Sequence, residues 1–159
     1  NCDILPFIRL ADTVVSSSKI RAWISEGKLD AANSALGYSF YLKGTVQMGR
    51  QDGRKMGFPT ANLVAPDNQI LPPNGVYATV TQIGDQKYDS ITNVGIAPTF
   101  GGTKKVVETN IFGFNQDIYG RQIKVTFLGR IRPEEKFSSV EHLARQIQMD
   151  IRTRKDFGK

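Results

Sequence analysis

The chain has 159 residues, 40% hydrophobic and 23% charged, with lysine and arginine exceeding aspartate and glutamate by 21 to 15. That is globular material sized for one domain and an appendage; disorder is not the default reading, and the basic excess favours anionic partners without choosing among nucleotides, nucleic acid and acidic membrane. No stretch approaches the roughly 20 apolar residues of a spanning helix, no charged-then-apolar leader opens the sequence, and the single Cys2 excludes an intramolecular disulfide and a thiolate zinc site, so the expectation is a cytoplasmic protein with no membrane partner.

In chain order, the opening Asn1-Cys2-Asp3-Ile4-Leu5-Pro6 enters mid-pattern and reads as part of something longer. Ser16, Ser17 and Ser18 then offer N-caps to a helix whose Ile20, Trp23 and Ile24 share one face. Gly27 ends it. Asp30 is expected to cap a second helix carrying Ala31, Ala32, Ala35 and Leu36, with Gly37 as its stop. From Tyr38 the pattern changes to short β-branched and aromatic runs between Gly, Pro, Asn and Asp clusters. Strands are predicted over 39–48, 75–83, 87–94, 106–112 and 122–127, with a short one near 60–63. Five or six strands without long intervening helices imply an antiparallel barrel or sandwich. A final helix is predicted over about 138–155, capped by Ser138 or Ser139, with Val140, Leu143, Ile147 and Ile151 facing inward. There is no internal repeat. The basic residues are scattered and form no nucleic-acid tail.

The densest run of special residues is Gly53-Arg54-Lys55-Met56-Gly57-Phe58-Pro59-Thr60-Ala61-Asn62. Glycines let backbone N–H groups approach phosphate oxygens, and a hydroxyl and a carboxamide two apart in an extended segment point to the same side, so Thr60 and Asn62 could share one Mg²⁺-nucleotide. The run is not a Walker loop, which needs Gly-Lys-Ser/Thr opening a helix. On spacing alone a plain flexible turn before a strand fits equally well.

The same run, Gly53-Arg54-x-x-Gly57-Phe58-Pro59-Thr60-Ala61-Asn62-Leu63, resembles the signature of riboflavin kinases, including the kinase module of bacterial bifunctional riboflavin kinase/FMN adenylyltransferases. Further blocks resemble that family in order: Leu71-Pro72-Pro73-x-Gly75-Val76-Tyr77-Ala78, Asn93-Val94-Gly95-x-x-Pro98-Thr99-Phe100, Val107-Glu108-Thr109, Asp117-x-Tyr119-Gly120 and Ile131-Arg132-Pro133-Glu134-x-Lys136-Phe137. The resemblance implies a mainly β fold, a six-stranded antiparallel barrel with a C-terminal helix, transferring phosphate from ATP to riboflavin to give FMN and ADP. It implies Thr60 and Asn62 as the Mg²⁺–ATP ligands and Glu108 as the catalytic base. ATP would be covered by a loop from Gly49 to Gly57 that includes Gly53, Arg54 and Gly57 and leads into Pro59. Arg132, Glu134 and Phe137, placed after the last strand and at the start of the final helix, would border the flavin. A second glycine-hinged flap is expected over 97–105, with Phe100 either packing on substrate or joining the core, and Lys104 and Lys105 as solvated charges. His142, the sole histidine, reads as a helix-surface residue, leaving Mg²⁺ to oxygen ligands.

The family pattern is not matched everywhere. Met48-Gly49 and Asp52-Gly53 stand where His-Gly and a further flap arginine are frequent, so one flap cation is missing and phosphate affinity is expected to be lower unless Arg50 substitutes. Ala97 and Asn110 stand where Arg or Asn and His are frequent. Val15-Ser16-Ser17-Ser18-Lys19-Ile20-Arg21 resembles the closing block of the adenylyltransferase module, so residues 1–37 are expected to be the helical remnant of that module and its linker, residues 38–159 the kinase domain, and FAD synthesis absent. The competing readings are a flavin- or nucleotide-binding barrel without turnover and an OB-like binder of single-stranded nucleic acid; the strands offer no clear stacking platform for the latter.

Overall fold

The computed structural model describes residues 9–10, 13–49, 53, 57–64, 66, 68–99 and 102–157. Arg54 and Phe100 lie outside these residues.

A small antiparallel pair, β1 (Arg9–Leu10) and β2 (Thr13–Val14), precedes two helices, α1 (Ser17–Ser25) and α2 (Leu29–Leu36). The Ser16 hydroxyl caps α1 by accepting from the Lys19 amide at 3.2 Å. Gly27 makes the turn between them at φ 78°, and Gly37 closes α2 at φ 74°, both in the left-handed region that glycine enters without penalty. Asp30 is not the cap of α2: the N-cap is Lys28, without a side-chain bond, and Asp30 lies in the first turn, where its charge favours the helix dipole. Trp23, Ile24, Leu29 and Ala32 join the same apolar core as the barrel, and the Asn33 carboxamide accepts from the Phe40 amide at 2.7 Å, tying α2 to the first barrel strand's entry.

Six strands follow: β3 (Tyr41–Gln47), β4 (Thr60–Val64), β5 (Gly75–Ile83), β6 (Gln86–Thr99), β7 (Gly102–Ile111) and β8 (Gln122–Pro133). They close in the order β3-β4-β7-β6-β5-β8, every pair antiparallel, so no barrel strand is left as an edge. Three strands run further than the sequence pattern suggested, β7 beginning at Gly102 rather than at 106. β6 continues through Thr99 and pairs back onto β7 as far as Thr99 opposite Gly102, so most of the expected 97–105 flap is a β-ladder. β8 continues through Pro133 with two register shifts against β5, so Arg132 belongs to the strand rather than to the segment after it.

One side of the interior is apolar, with Leu42, Val46, Leu63, Val94, Val107 and Val125 buried beside the ring contacts Phe40–Phe127 at 5.6 Å and Tyr77–Phe127 at 5.3 Å. The other side carries hydroxyls. Thr79 meets Ser90 at 2.8 Å and Thr92 at 2.9 Å, Thr81 meets Ser90 at 2.9 Å, and Thr92 meets Thr109 at 3.0 Å, so these wholly buried oxygens satisfy one another.

The last helix, α3 (Val140–Arg154), packs on β5, β6 and β8. Ser139 caps it, accepting from the His142 amide at 3.2 Å, while the His142 ring lies at the surface, 3.0 Å from the Ser138 hydroxyl. Its inward face differs from expectation. Val140 is 59% exposed, and the two buried residues are Asp150 and Arg154, each carried inward by a specific polar partner rather than by apolar burial. Arg154 donates to the Thr79 carbonyl at 2.8 Å, the Phe157 carbonyl at 3.0 Å and the Asp89 carboxylate at 2.6 Å.

Candidate functional site

Alternation along β4 puts Thr60 and Asn62 on its outward face, with Ala61 and Leu63 buried inside the barrel. Register then carries a row across five strands. Asn62 stands opposite Glu108, Glu108 opposite Asn93, Asn93 opposite Val76, and Val76 opposite Arg132. Directly opposed residues project to the same face, so the carboxamide, the carboxylate and the guanidinium bear on one outer surface of the barrel. A neighbouring row holds Thr60, Asn110 and Ile91. The Asn110 amide donates to the Pro59 carbonyl at 2.8 Å, which pins the rigid residue just before Thr60.

The glycines before β4 are placed for close approach. A β-carbon at Gly49 would collide with the Asn62 carboxamide, and one at Gly53 would collide with the Phe58 carbonyl and stand 3.3 Å from the Thr60 hydroxyl oxygen. The Phe58 amide donates to the Gly53 carbonyl at 2.8 Å, drawing the loop's second arm toward Thr60. Gly57 has no neighbour a β-carbon would meet and owes its place to φ 81°. Two glycines are thus needed for space and the third for conformation.

A cleft of about 430 Å³ lies over this surface and brings together six of the residues singled out in the sequence: Gly53, Thr60, Glu108, Arg132, Glu134 and Phe137. Leu143 and Ile147 of α3 supply part of its apolar wall. Gly49 and Asn62 border an adjoining hollow of about 550 Å³ that also touches Lys105. Pro59 and Thr60 border a third, of about 200 Å³, walled by Val46, Ile111, Phe114 and Ile118 with Asn115 and Gln116. Thr60 is shared between this third cavity and the 430 Å³ cleft.

At the far end of the cleft the Arg132 guanidinium forms a bidentate pair with Asp150, Nε at 2.9 and 3.2 Å and Nη2 at 2.9 Å, and its central carbon lies 5.4 Å from the Phe137 ring centre. Glu134 accepts from the Asn74 carboxamide at 3.0 Å, and its other oxygen lies against Gly95, where a β-carbon would approach it to 2.6 Å.

Sequence reading gave no site role to Asn93 or Asn110 and did not name Asp150. The first two needed the register. Asp150 left a signal: it follows Leu143 and Ile147 at helical spacing, a carboxylate at a position where an apolar residue is expected. For a metal, no cluster of three or more His, Cys, Asp or Glu side chains occurs among the described residues. The available donors are a hydroxyl, a carboxamide and a carboxylate, an all-oxygen set that fits a hard cation held chiefly by nucleotide phosphates, and the space that side chains at Gly49 and Gly53 would fill stays open beside two of them.

Comparison with known proteins agrees with this architecture. The family model of riboflavin kinase, the flavokinase domain, matches residues 36–157. The chain is 38% identical over 152 residues to the bifunctional riboflavin kinase/FMN adenylyltransferase of Bacillus subtilis, covering 94% of this chain and 48% of that protein. It is 36% identical over 144 residues to the protein of the same name in Escherichia coli, covering 90% and 46%. It therefore spans about half the length of these curated relatives. Among solved structures, a protein described as a macrolide-efflux protein from Streptococcus pneumoniae superimposes with TM-score 0.90 at 38% identity, covering 97% of this chain and 51% of that one. Riboflavin kinase from Trypanosoma brucei superimposes with TM-score 0.53 at 25% identity, covering 73% and 77%. Among the described residues no helix is long and apolar enough to cross a membrane. With the family model matched across the barrel and its C-terminal helix, the chain belongs to the riboflavin kinase family.

Proposed function

We propose that this chain transfers the γ-phosphoryl group of ATP to the 5′-hydroxyl of riboflavin, giving FMN and ADP. The observation that carries the reading is the position of Thr60, shared by two cavities, beside the row that holds Glu108. A purine suits the smaller cavity, where apolar walls from Val46, Ile111 and Phe114 meet the polar groups of Asn115, Gln116 and Asp117, and the flavin suits the larger cleft, so the phosphates pass Thr60 at the junction. The lining of the cleft supports the assignment of ends: Glu108 on β7 and Arg132 on β8 both border it, three strands apart around the barrel.

Phosphoryl transfer asks little covalent work of a protein, so the residues act by positioning and charge. Thr60 and Asn62 would hold the nucleotide phosphates and Mg²⁺, an ion that would supply charge neutralisation at the phosphoryl oxygens. Gly49 and Gly53 keep the space beside these ligands open, and Arg54 adds positive charge from the same loop. Glu108 orients the 5′-hydroxyl and accepts its proton as the new O–P bond forms, with ADP leaving on the opposite side. Arg132, Phe137 and Glu134 border the ring.

The proposal includes FMN as the end product of this stretch of chain, a natural context that includes an FMN adenylyltransferase, as in the curated relatives, and a cytoplasmic setting. Nucleic acid has no part in it. The test is chromatography of products from riboflavin and Mg²⁺–ATP, with and without a chelator. FMN that disappears on chelation supports the reading, and FAD formed from FMN and ATP by this chain alone contradicts its end-product limit.

A further inference from the structure

We infer that Asp150 is a positioning residue for the flavin, acting through Arg132 and Phe137 to fix the ring end of the cleft and so to set affinity for riboflavin but not for ATP. The inference rests on the riboflavin kinase reading above.

Asp150 is 2% exposed at the inward face of α3. It accepts from Arg132 Nε and Nη2, and its Oδ1 also accepts from Gln146 Nε2 at 3.0 Å. A buried carboxylate is costly to desolvate, and an apolar residue there would extend the wall made by Leu143 and Ile147. Anchoring the helix does not explain the cost. Arg154, one turn further on, already clamps α3 to the barrel through the Thr79 carbonyl and Asp89. What distinguishes the Asp150 pair is its place: Asp150, Arg132 and Phe137 line the cleft that contains Glu108.

The pair has two consequences there. A bidentate partner fixes the plane of a guanidinium, so Arg132 presents one orientation toward the cleft and toward the Phe137 ring. Asp150 also cancels the charge of Arg132. The isoalloxazine ring of riboflavin is uncharged, and an uncompensated guanidinium at the ring end would draw nucleotide phosphates away from Thr60. With Arg132 compensated, and with Glu134 and Glu135 also lining the cleft, this rigid wall offers no net attraction to an anion and favours the uncharged flavin ring.

The experiment compares wild type, Asp150→Asn and Asp150→Glu, measuring riboflavin affinity by flavin fluorescence and KM for riboflavin and for ATP in steady state. Asp150→Asn is expected to raise both the riboflavin Kd and its KM by about tenfold, with the ATP KM within about twofold of wild type; Asp150→Glu recovers part of the loss. Arg132→Lys combined with Asp150→Asn is expected to lose no more riboflavin affinity than either change alone, because both break one unit. An unchanged riboflavin Kd in Asp150→Asn, or equal rises in both KM values, overturns the inference. Should Asp150→Asn fail to fold, Gln146→Leu, which removes one bond to the carboxylate, is expected to raise the riboflavin Kd by about twofold to threefold, and no change overturns the inference. Absence of FMN from wild type that still binds riboflavin would refute the kinase reading alone, leaving the Kd comparison to decide the role of Asp150.

Discussion

Asn62 and Glu108 are register partners on β4 and β7, so a carboxamide and a carboxylate face the same surface one strand apart. The closed barrel holds that spacing, since both strands are paired on both sides. If Asn62 serves the phosphates and Glu108 the hydroxyl, their losses separate. Asn62→Ala is expected to raise the KM for Mg²⁺–ATP by about tenfold and leave riboflavin binding unchanged. A titration of each ligand checks this.

The loop glycines give a graded series. Gly49→Ala and Gly53→Ala drive a methyl into the Asn62 carboxamide and the Phe58 carbonyl, and each is expected to raise the ATP KM by about tenfold with the barrel intact. Gly57→Ala meets no neighbour but must hold φ 81°; it is expected to cost about 1 kcal/mol of stability with a smaller effect on ATP. Thermal unfolding beside ATP kinetics distinguishes space from conformation.

Much of this was legible in the sequence. Turn residues and β-branched runs mark all six barrel strands, because their chemistry is local: Gly75 opens β5, and Thr60-Ala61-Asn62-Leu63 alternates as a half-buried strand must. The ends of β6 and β8 were not legible. Pro98 and Pro133 lie beyond the strand ends predicted at 94 and 127, yet backbone pairing with β7 and β5 carries both strands to or through them. The inner face of α3 was misread for a different reason. The predicted inner face ran through Val140 and Ile151 and left out Asp150 and Arg154, and only the tertiary partners of these two ions bring them inside. Which cavity each site residue borders was likewise beyond the motif, since it depends on cross-strand register.

Arg154 and Asp89 make an unequal pair, with side chains 4% and 58% exposed. Arg154→Met strips the Thr79 and Phe157 carbonyls of their donor and is expected to destabilise by about 2–4 kcal/mol. Asp89→Asn removes only a partner that water can replace and is expected to cost under about 1 kcal/mol. Denaturant midpoints for the two variants test the asymmetry.

Tyr77 makes stability fall in alkali. Burial pushes its phenol above the ordinary 10.0, with Arg130 opposing, and the hydroxyl donates to the Pro73 carbonyl. The unfolded phenol ionises near its ordinary value of about 10 while the native one keeps its proton, so above that pH the native state binds more protons than the unfolded state. The stability contribution is present in full below the unfolded value and is lost as pH rises through the folded one. Melting temperatures from about pH 8 to 11 are expected to fall less steeply for Tyr77→Phe than for wild type.

Turnover and binding measured together in Glu108→Gln test the catalytic reading most directly. Wild type is expected to form FMN from riboflavin and Mg²⁺–ATP, and Glu108→Gln to bind both ligands normally with kcat reduced by about 100-fold or more. A Glu108→Gln protein that makes FMN at the wild-type rate, or a folded wild type that makes none across magnesium and redox conditions, would contradict it.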